Sequence, residues 1–196
     1  MRRSNFYWKS ALIFIFIFTL SKSIIMAIET PDYKLIERNG NFEIREYRSF
    51  VIAKTKVQND YKEATSTGFR RIANYIFGGN KQNLNIAMTA PVISSVPNAK
   101  DTYEIFFVMP KKHILSSLPT PNSNAVQVES HHLGKTAVIK FGGWATKSRT
   151  NFYKKELGKI INEHGLDAIG DYLVAQYNSP WALPPFRKNE IFIKIQ

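Results

Sequence analysis

The chain contains no cysteine. That absence excludes a disulfide framework, a cysteine zinc site, an iron–sulfur cluster, a thiolate nucleophile and a lipid-modified N-terminal cysteine. Histidine is scarce, with only His113, His131, His132 and His164 among 196 residues. Acids are outnumbered by bases, 15 to 27, which leaves a formal charge of +12. The sequence has no G-x-S-x-G, no H-E-x-x-H, no Gly-rich phosphate loop and no H-x-E with paired cysteines. No two carboxylates have the helical spacing that would point both into one apolar face. The expectation is therefore a protein that is not an enzyme.

What is present is a globular composition, 44% apolar and 21% charged. The basic surplus invites nucleic acid, a membrane surface or an acidic ligand as partner. Residues 1–27 stand apart. Met1-Arg2-Arg3 opens a basic stretch that runs to Lys9, Ala11–Leu20 is an apolar run, and Ala27 is a small residue at a cleavage position. The run is short of the roughly 20 residues of a membrane span, and Lys22 would sit near the centre of a longer one. This pattern describes a signal peptide and hence a periplasmic or secreted protein. The alternatives are an uncleaved membrane anchor, or a cytoplasmic protein that starts at Met26. The leader holds four basic residues and no acid, so its removal takes +12 to +8.

Residues 28–196 read as one domain of two similar halves, about 33–117 and 125–196, divided by the turn-rich Leu118–Asn124. Two alternating runs flank Asn39-Gly40, a type I′ hairpin signal. Ser49–Val57 reads as a strand. Tyr61–Phe77 reads as an amphipathic helix with Asp60 as N-cap, Glu63 completing a capping-box pattern and Gly78-Gly79 at its end. Ile86–Ser94 and Thr102–Met109 read as strands joined by a Pro97-Asn98 turn. The order then recurs. Ala125–His132 and Lys135–Trp144 are expected to form a hairpin around Gly134. Lys147–His164 is a helix with Phe152, Leu157, Ile160, Ile161 and His164 on one face. Asp171–Tyr177 and Glu190–Ile195 close the fold. Val51-Ile52-Ala53-Lys54 precedes Ala137-Val138-Ile139-Lys140 by the same offset as Glu104-Ile105-Phe106 precedes Glu190-Ile191-Phe192. The expected fold class is α+β: a distorted antiparallel β-barrel or curved sheet with two packed helices, in two pseudo-symmetric strand–strand–helix–strand–strand halves.

Binding candidates are few. His132 shares parity with Val126 and Val128, which makes it the inward-facing histidine and a weak metal candidate. His164 ends the second helix, where an imidazolium gains from the helix dipole. Met88 sits between small residues ahead of Pro91, a pattern for an irregular edge beside a cavity or for a core filler. Tyr177–Arg187 sets Tyr177, Trp181 and Phe186 among three prolines, a rigid aromatic loop that can wall a flat apolar ligand or simply carry the chain to its last strand. Arg70, Arg71, Arg149, Lys154 and Lys155 could pair with ligand carboxylates or form a solvated helix face.

The segments Ile28–Tyr33, Phe42–Tyr47, Arg71–Gly79, Ile86–Val92, Gly142-Gly143-Trp144 and Tyr177–Ile193 resemble, in order, the SOUL/haem-binding protein family. The Met-Thr-Ala-Pro and Pro-Pro-Phe-Arg-x-Asn-Glu stretches are the most specific. The resemblance implies a distorted antiparallel barrel with two helices. It also implies an apolar groove for haem or another tetrapyrrole between the first helix and neighbouring strands. Carried over by position, Phe69, Ala73 and Ile76 line that groove, with Tyr177 and Trp181 beside it. The positions that match basic propionate partners in family members hold Ser66, Asn74 and Leu183, so Arg70 or Arg71 would have to substitute. The axial histidine of some members has no match. The expected function is a carrier or buffer that holds a tetrapyrrole non-covalently, without an axial protein ligand. The rivals are a binding module for another amphipathic small molecule and, less favoured, a binder of anionic surfaces or nucleic acid. No nucleic-acid motif appears.

Overall fold

A computed structural model describes residues 28–97 and 101–196. The expected leader, residues 1–27, and Asn98 of the expected turn lie outside these ranges. Among the described residues no helix is long and apolar enough to cross a membrane.

The strands are β1 (Tyr33–Asn39), β2 (Phe42–Tyr47), β3 (Phe50–Gln58), β4 (Val92–Val96), β5 (Thr102–Val108), β6 (Gln127–His131), β7 (Gly134–Gly142), β8 (Ala168–Gln176) and β9 (Lys188–Ile195). The helices are α1 (Tyr61–Ile76) and α2 (Lys147–Glu163). All nine strands join one antiparallel sheet in the order β1-β2-β7-β9-β8-β4-β5-β3-β6. Exchanging β2 with β6, β3 with β7, β4 with β8 and β5 with β9 turns β2-β7-β9-β8 into the reverse of β4-β5-β3-β6, so the two halves share one strand order. Each half gives one strand to a strand of the other half: β2 lies on β7, and β6 lies on β3.

The connections force curvature. Two residues, Arg48-Ser49, carry the chain from β2 to β3, six positions away in the sheet. A flat sheet would separate those strands by about 29 Å. Two linking residues reach about 10 Å. The sheet therefore curls until its distant strands meet. His132-Leu133 makes the equivalent crossover from β6 to β7. The crossovers run side by side, because Tyr47 pairs with Gly134 and Phe50 with His131.

Both faces of the curl are buried. On the outer face α1 covers β3 and β5, packing Ala64, Ile72 and Ile76 onto Ala53, Val57, Ile105 and Phe107. On the same face α2 lays Leu157 and Ile161 on Ile139, Val174, Ile191 and Ile193. The alternate residues of these strands point inward, where Tyr47, Ile52, Ile93, Phe106, Val138, Ala175 and Phe192 close into one cluster.

The sequence reading needs correction in several places. The β1–β2 turn is Gly40-Asn41, not Asn39-Gly40, with Asn39 paired to Phe42 and positive φ only at Gly40 (57°). Positive φ at the first loop residue alone is the type II′ pattern, which needs Gly there. The hairpin around Gly134 does not form. Gly134, at φ 67°, bends the chain off β6 and onto a different part of the sheet. The strand expected at Ile86–Ser94 begins only at Val92. Before it, Ile86 donates its N–H to Ile76 O at the end of α1, Ala90 donates to Glu29 O, and Pro91 has none to give a ladder. The Asp60 carboxylate accepts from the Lys62 and Glu63 amides as expected, but the reciprocal partner of the Asp60 amide is Asn59 Oδ1 and not Glu63. On α2, Phe152 is 56% exposed and Thr150 is buried in its stead. At about 100° per residue, Phe152 lies roughly 140° from Leu157 around the helix.

Candidate functional site

The residues singled out in the sequence divide among three places. Phe69, Ala73 and Ile76 do share the sheet-facing side of α1. Phe69 is half-buried, 5.3 Å ring to ring from Phe107, and Ala73 is half-buried one turn on. Ile76 is fully buried in the core beneath them. Arg70 points to solvent and donates to Ser66 Oγ (2.9 Å) and Thr67 Oγ1 (3.0 Å) on its own helix. Met88, 40% exposed, lies in the irregular segment that links the end of α1 to β4. Val92 at the start of β4 pairs with Gln176 at the end of β8. The Met88 segment and the loop after β8 therefore leave the sheet at the same end.

That loop is held from behind. Arg187 is 7% exposed, donates Nε–H to Ala182 O (2.9 Å) and Nη2–H to Pro180 O, and stacks 3.6 Å over the Trp144 ring. Clamping both carbonyls fixes the loop with its apolar side chains outward: Trp181 is 92% exposed, and Leu183 and Phe186 are also exposed.

Tyr177 belongs to the opposite face. It packs with the inner cluster, and its hydroxyl donates to Glu190 Oε2 at 2.7 Å. There it joins a buried charge network that sequence reasoning missed. Arg45 pairs bidentately with Glu190 (2.6 and 2.9 Å), donates Nε–H to Glu43 Oε2 (2.7 Å) and Nη1–H to the Tyr47 oxygen (2.8 Å), and lies 4.2 Å over the Tyr33 ring. Glu43 also accepts from Arg38 (2.7 Å) and from Lys140. Burial alone would raise the Glu43 carboxyl. The hydrogen bonds from Lys140 and Arg45 outweigh it and hold the group below its usual range. Burial pushes the Tyr47 hydroxyl up to about 12 despite the Arg45 charge. It also raises Tyr177, with the Glu190 carboxylate acting in the same direction. Both phenols stay protonated, Tyr177 donating to Glu190 and Tyr47 accepting from Arg45. A cleft of about 670 Å³ opens on this network, between the N-terminal segment at Thr30–Tyr33, the end of β7 and the start of β9.

The histidines are occupied elsewhere. Of the adjacent pair it is His131, not His132, that packs among rings, 5.5 Å from both Phe50 and Phe106. Burial holds its imidazole below 6.5. His132 Nδ1 meets Ser49 Oγ at 3.0 Å, which ties the two crossovers together. His164 caps α2, its Nδ1 2.8 Å from Ile160 O. Among the described residues no three His, Asp or Glu side chains gather as a metal site.

The only sequence signal for the inner network is the charged parity of Phe42–Tyr47. Phe42 and Ile44 face α2's side, and Glu43, Arg45 and Tyr47 alternate with them. Such alternation normally marks a solvated face.

Residues 28–194 match the family model described as SOUL heme-binding protein. The chain is 31% identical over 180 residues to Heme-binding protein 2 of Homo sapiens, covering 85% of this chain and 86% of that protein. It is 28% identical over 190 residues to Heme-binding protein 1 of Xenopus laevis, covering 89% and 97%. Among solved structures, the EcmrR C-terminal domain superposes with a TM-score of 0.60 at 9% identity, over 84% of this chain and all but 2% of that one, 98% being covered. A hydrolase from Listeria innocua gives 0.54 at 10% identity, over 91% and 98%. Those two likenesses concern the fold, which hosts unrelated functions. The family model spans the curled sheet, both helices and the clamped apolar loop, and by that match the chain belongs to the SOUL heme-binding protein family.

Proposed function

We propose that the protein binds haem or a related tetrapyrrole non-covalently, as a carrier or buffer and without catalysis. The observation that carries this reading is the clamped loop. Trp181, Leu183 and Phe186 are held in solvent at the end of the sheet from which the Met88 segment also leaves, where ordinary folding would bury them. Covering one such side chain with a flat macrocycle contributes about 1.5–3 kcal/mol. Phe69 and Ala73 supply a half-open apolar wall on α1. The relatives named heme-binding proteins support the choice of ligand. None of the four histidines lies on α1, in residues 86–91 or in the loop after β8. On this surface the macrocycle is held by its faces, with no histidine to ligate its iron. A signal peptide in residues 1–27 would put this activity outside the cytoplasm, and N-terminal sequencing of protein from its native host, with cleavage expected near Ala27, checks that.

The test is a haemin titration of the purified protein followed in the Soret band. A saturable shift at micromolar protein is expected, with iron-free protoporphyrin IX binding within a few-fold of haemin. No saturable shift would overturn the reading. Phe69→Asp is expected to weaken both ligands, and an unchanged affinity would remove α1 from the site.

A further inference from the structure

We propose that the inner-face cleft is a second binding site, for a small aromatic carboxylate. Its size, about 670 Å³, is within the roughly 300–1,000 Å³ of small-molecule sites. Its lining carries four cations, Arg45, Lys140, Arg187 and Lys188, and one carboxylate, Glu190. That carboxylate is already consumed, taking both forks of Arg45 and the Tyr177 hydroxyl. Lys140 is shared with Glu43, which accepts from Arg38 and Arg45 as well. Two cations are left over. Arg187 is 7% exposed yet has no carboxylate partner among the described residues; its guanidinium meets only two backbone carbonyls and the Trp144 ring. Lys188, next to it, is exposed and also has no ion-pair partner among the described residues. A buried charge without a counter-charge is costly, and an anion in the cleft supplies one.

The walls define the rest of the ligand. Tyr33, half of it in solvent over Arg45, and Tyr177 present aromatic surface on the cleft. A planar ring fits against them, with its carboxylate turned to Arg187 and Lys188, where a guanidinium pairs most favourably with a planar anion. The site lies on the sheet face opposite α1 and shares only Arg187, the clamp of the apolar loop, with the surface proposed for the tetrapyrrole.

The experiment compares 2-naphthoate with its neutral counterpart 2-naphthamide on the isotope-labelled full chain by NMR titration. The expected result is saturable naphthoate binding at least ten-fold tighter than naphthamide, with the largest amide shifts at Tyr33, Tyr177 and Lys188. Lys188→Gln, an exposed change that leaves the fold intact, should weaken naphthoate several-fold and leave naphthamide unchanged. Phe69→Asp should leave naphthoate binding as it is, whatever it does to haemin. Equal affinity for the two probes, insensitivity to Lys188→Gln, or shifts confined to α1 and residues 180–186 would overturn the proposal.

Discussion

Arg45 holds the inner side of the curl together, and its worth shows in what is left when it goes. It is 1% exposed and bonds to Glu43, Glu190 and Tyr47, three groups that approach from two strands. Arg45→Met would leave Glu43 and Glu190 facing each other without their shared cation. Removing one member of a buried ion pair costs about 3–5 kcal/mol. The variant should unfold at clearly lower urea, and Arg45→Met combined with Glu190→Gln should recover part of the loss. Acid acts on the same region in two stages. His131 is held below 6.5 by burial, so the unfolded chain takes up that proton first and stability begins to fall as pH drops through 6.5. Glu43 is held below 4.5, so its contribution is complete above that value and is lost as pH falls from there towards its native value. Urea midpoints at pH 7.5, 5.5 and 4 should decline in two steps, and His131→Phe should remove the upper one.

At the level of elements, α1 shows how local sequence and close packing cooperate. Asp60 caps its first turn. Gly78, at φ 103°, ends it, with the Gly79 N–H returning to Asn74 O in a Schellman closure. Its middle depends on Gly68, where an added Cβ would stand 2.6 Å from Ile105 Cγ1 on β5. Gly68→Ala gains helix propensity yet should destabilise by about 1–3 kcal/mol, because the helix must lift off the sheet. Asp60→Ala should cost about 1 kcal/mol. Thermal or urea unfolding of both variants checks the order, and a stabilised Gly68→Ala would contradict the close approach. The loop from Tyr177 to Arg187 is the opposite case: Trp181 touches almost nothing. Trp181→Ala should leave stability unchanged and weaken tetrapyrrole binding.

For the whole molecule, the exchange of β2 and β6 between halves makes the fold one cooperative unit. β2 pairs with β7 of the second half and β6 with β3 of the first, so each half needs the other to complete its pairing. A fragment ending at residue 124 would lack β7, the strand on which β2 lies, and β6, the partner of β3. It should show no cooperative unfolding transition, followed by circular dichroism against urea, and a sharp two-state transition would contradict this account.

The sequence by itself determined the elements. Helical spacing around Ala64, Phe69 and Ile72, the Asp60 cap, the Gly78 and Gly165 ends and the recurring strand motifs act through neighbours within about one turn, so they are legible one residue at a time. The clamped loop was visible as an aromatic segment among prolines for the same reason. Only the tertiary structure decided how the strands pair, because Gly134 takes the same positive φ in a hairpin and in a crossover. It alone also put Tyr177 on the face opposite Phe69. Alternation such as that of Glu43 and Arg45 with Phe42 and Ile44 ordinarily marks a solvated face, and these charges with Glu190 become a buried network because the two-residue crossovers curl the sheet around them. Burial on the second face of a sheet depends on residues a hundred positions away, such as Glu190 against Arg45, and no local pattern encodes it.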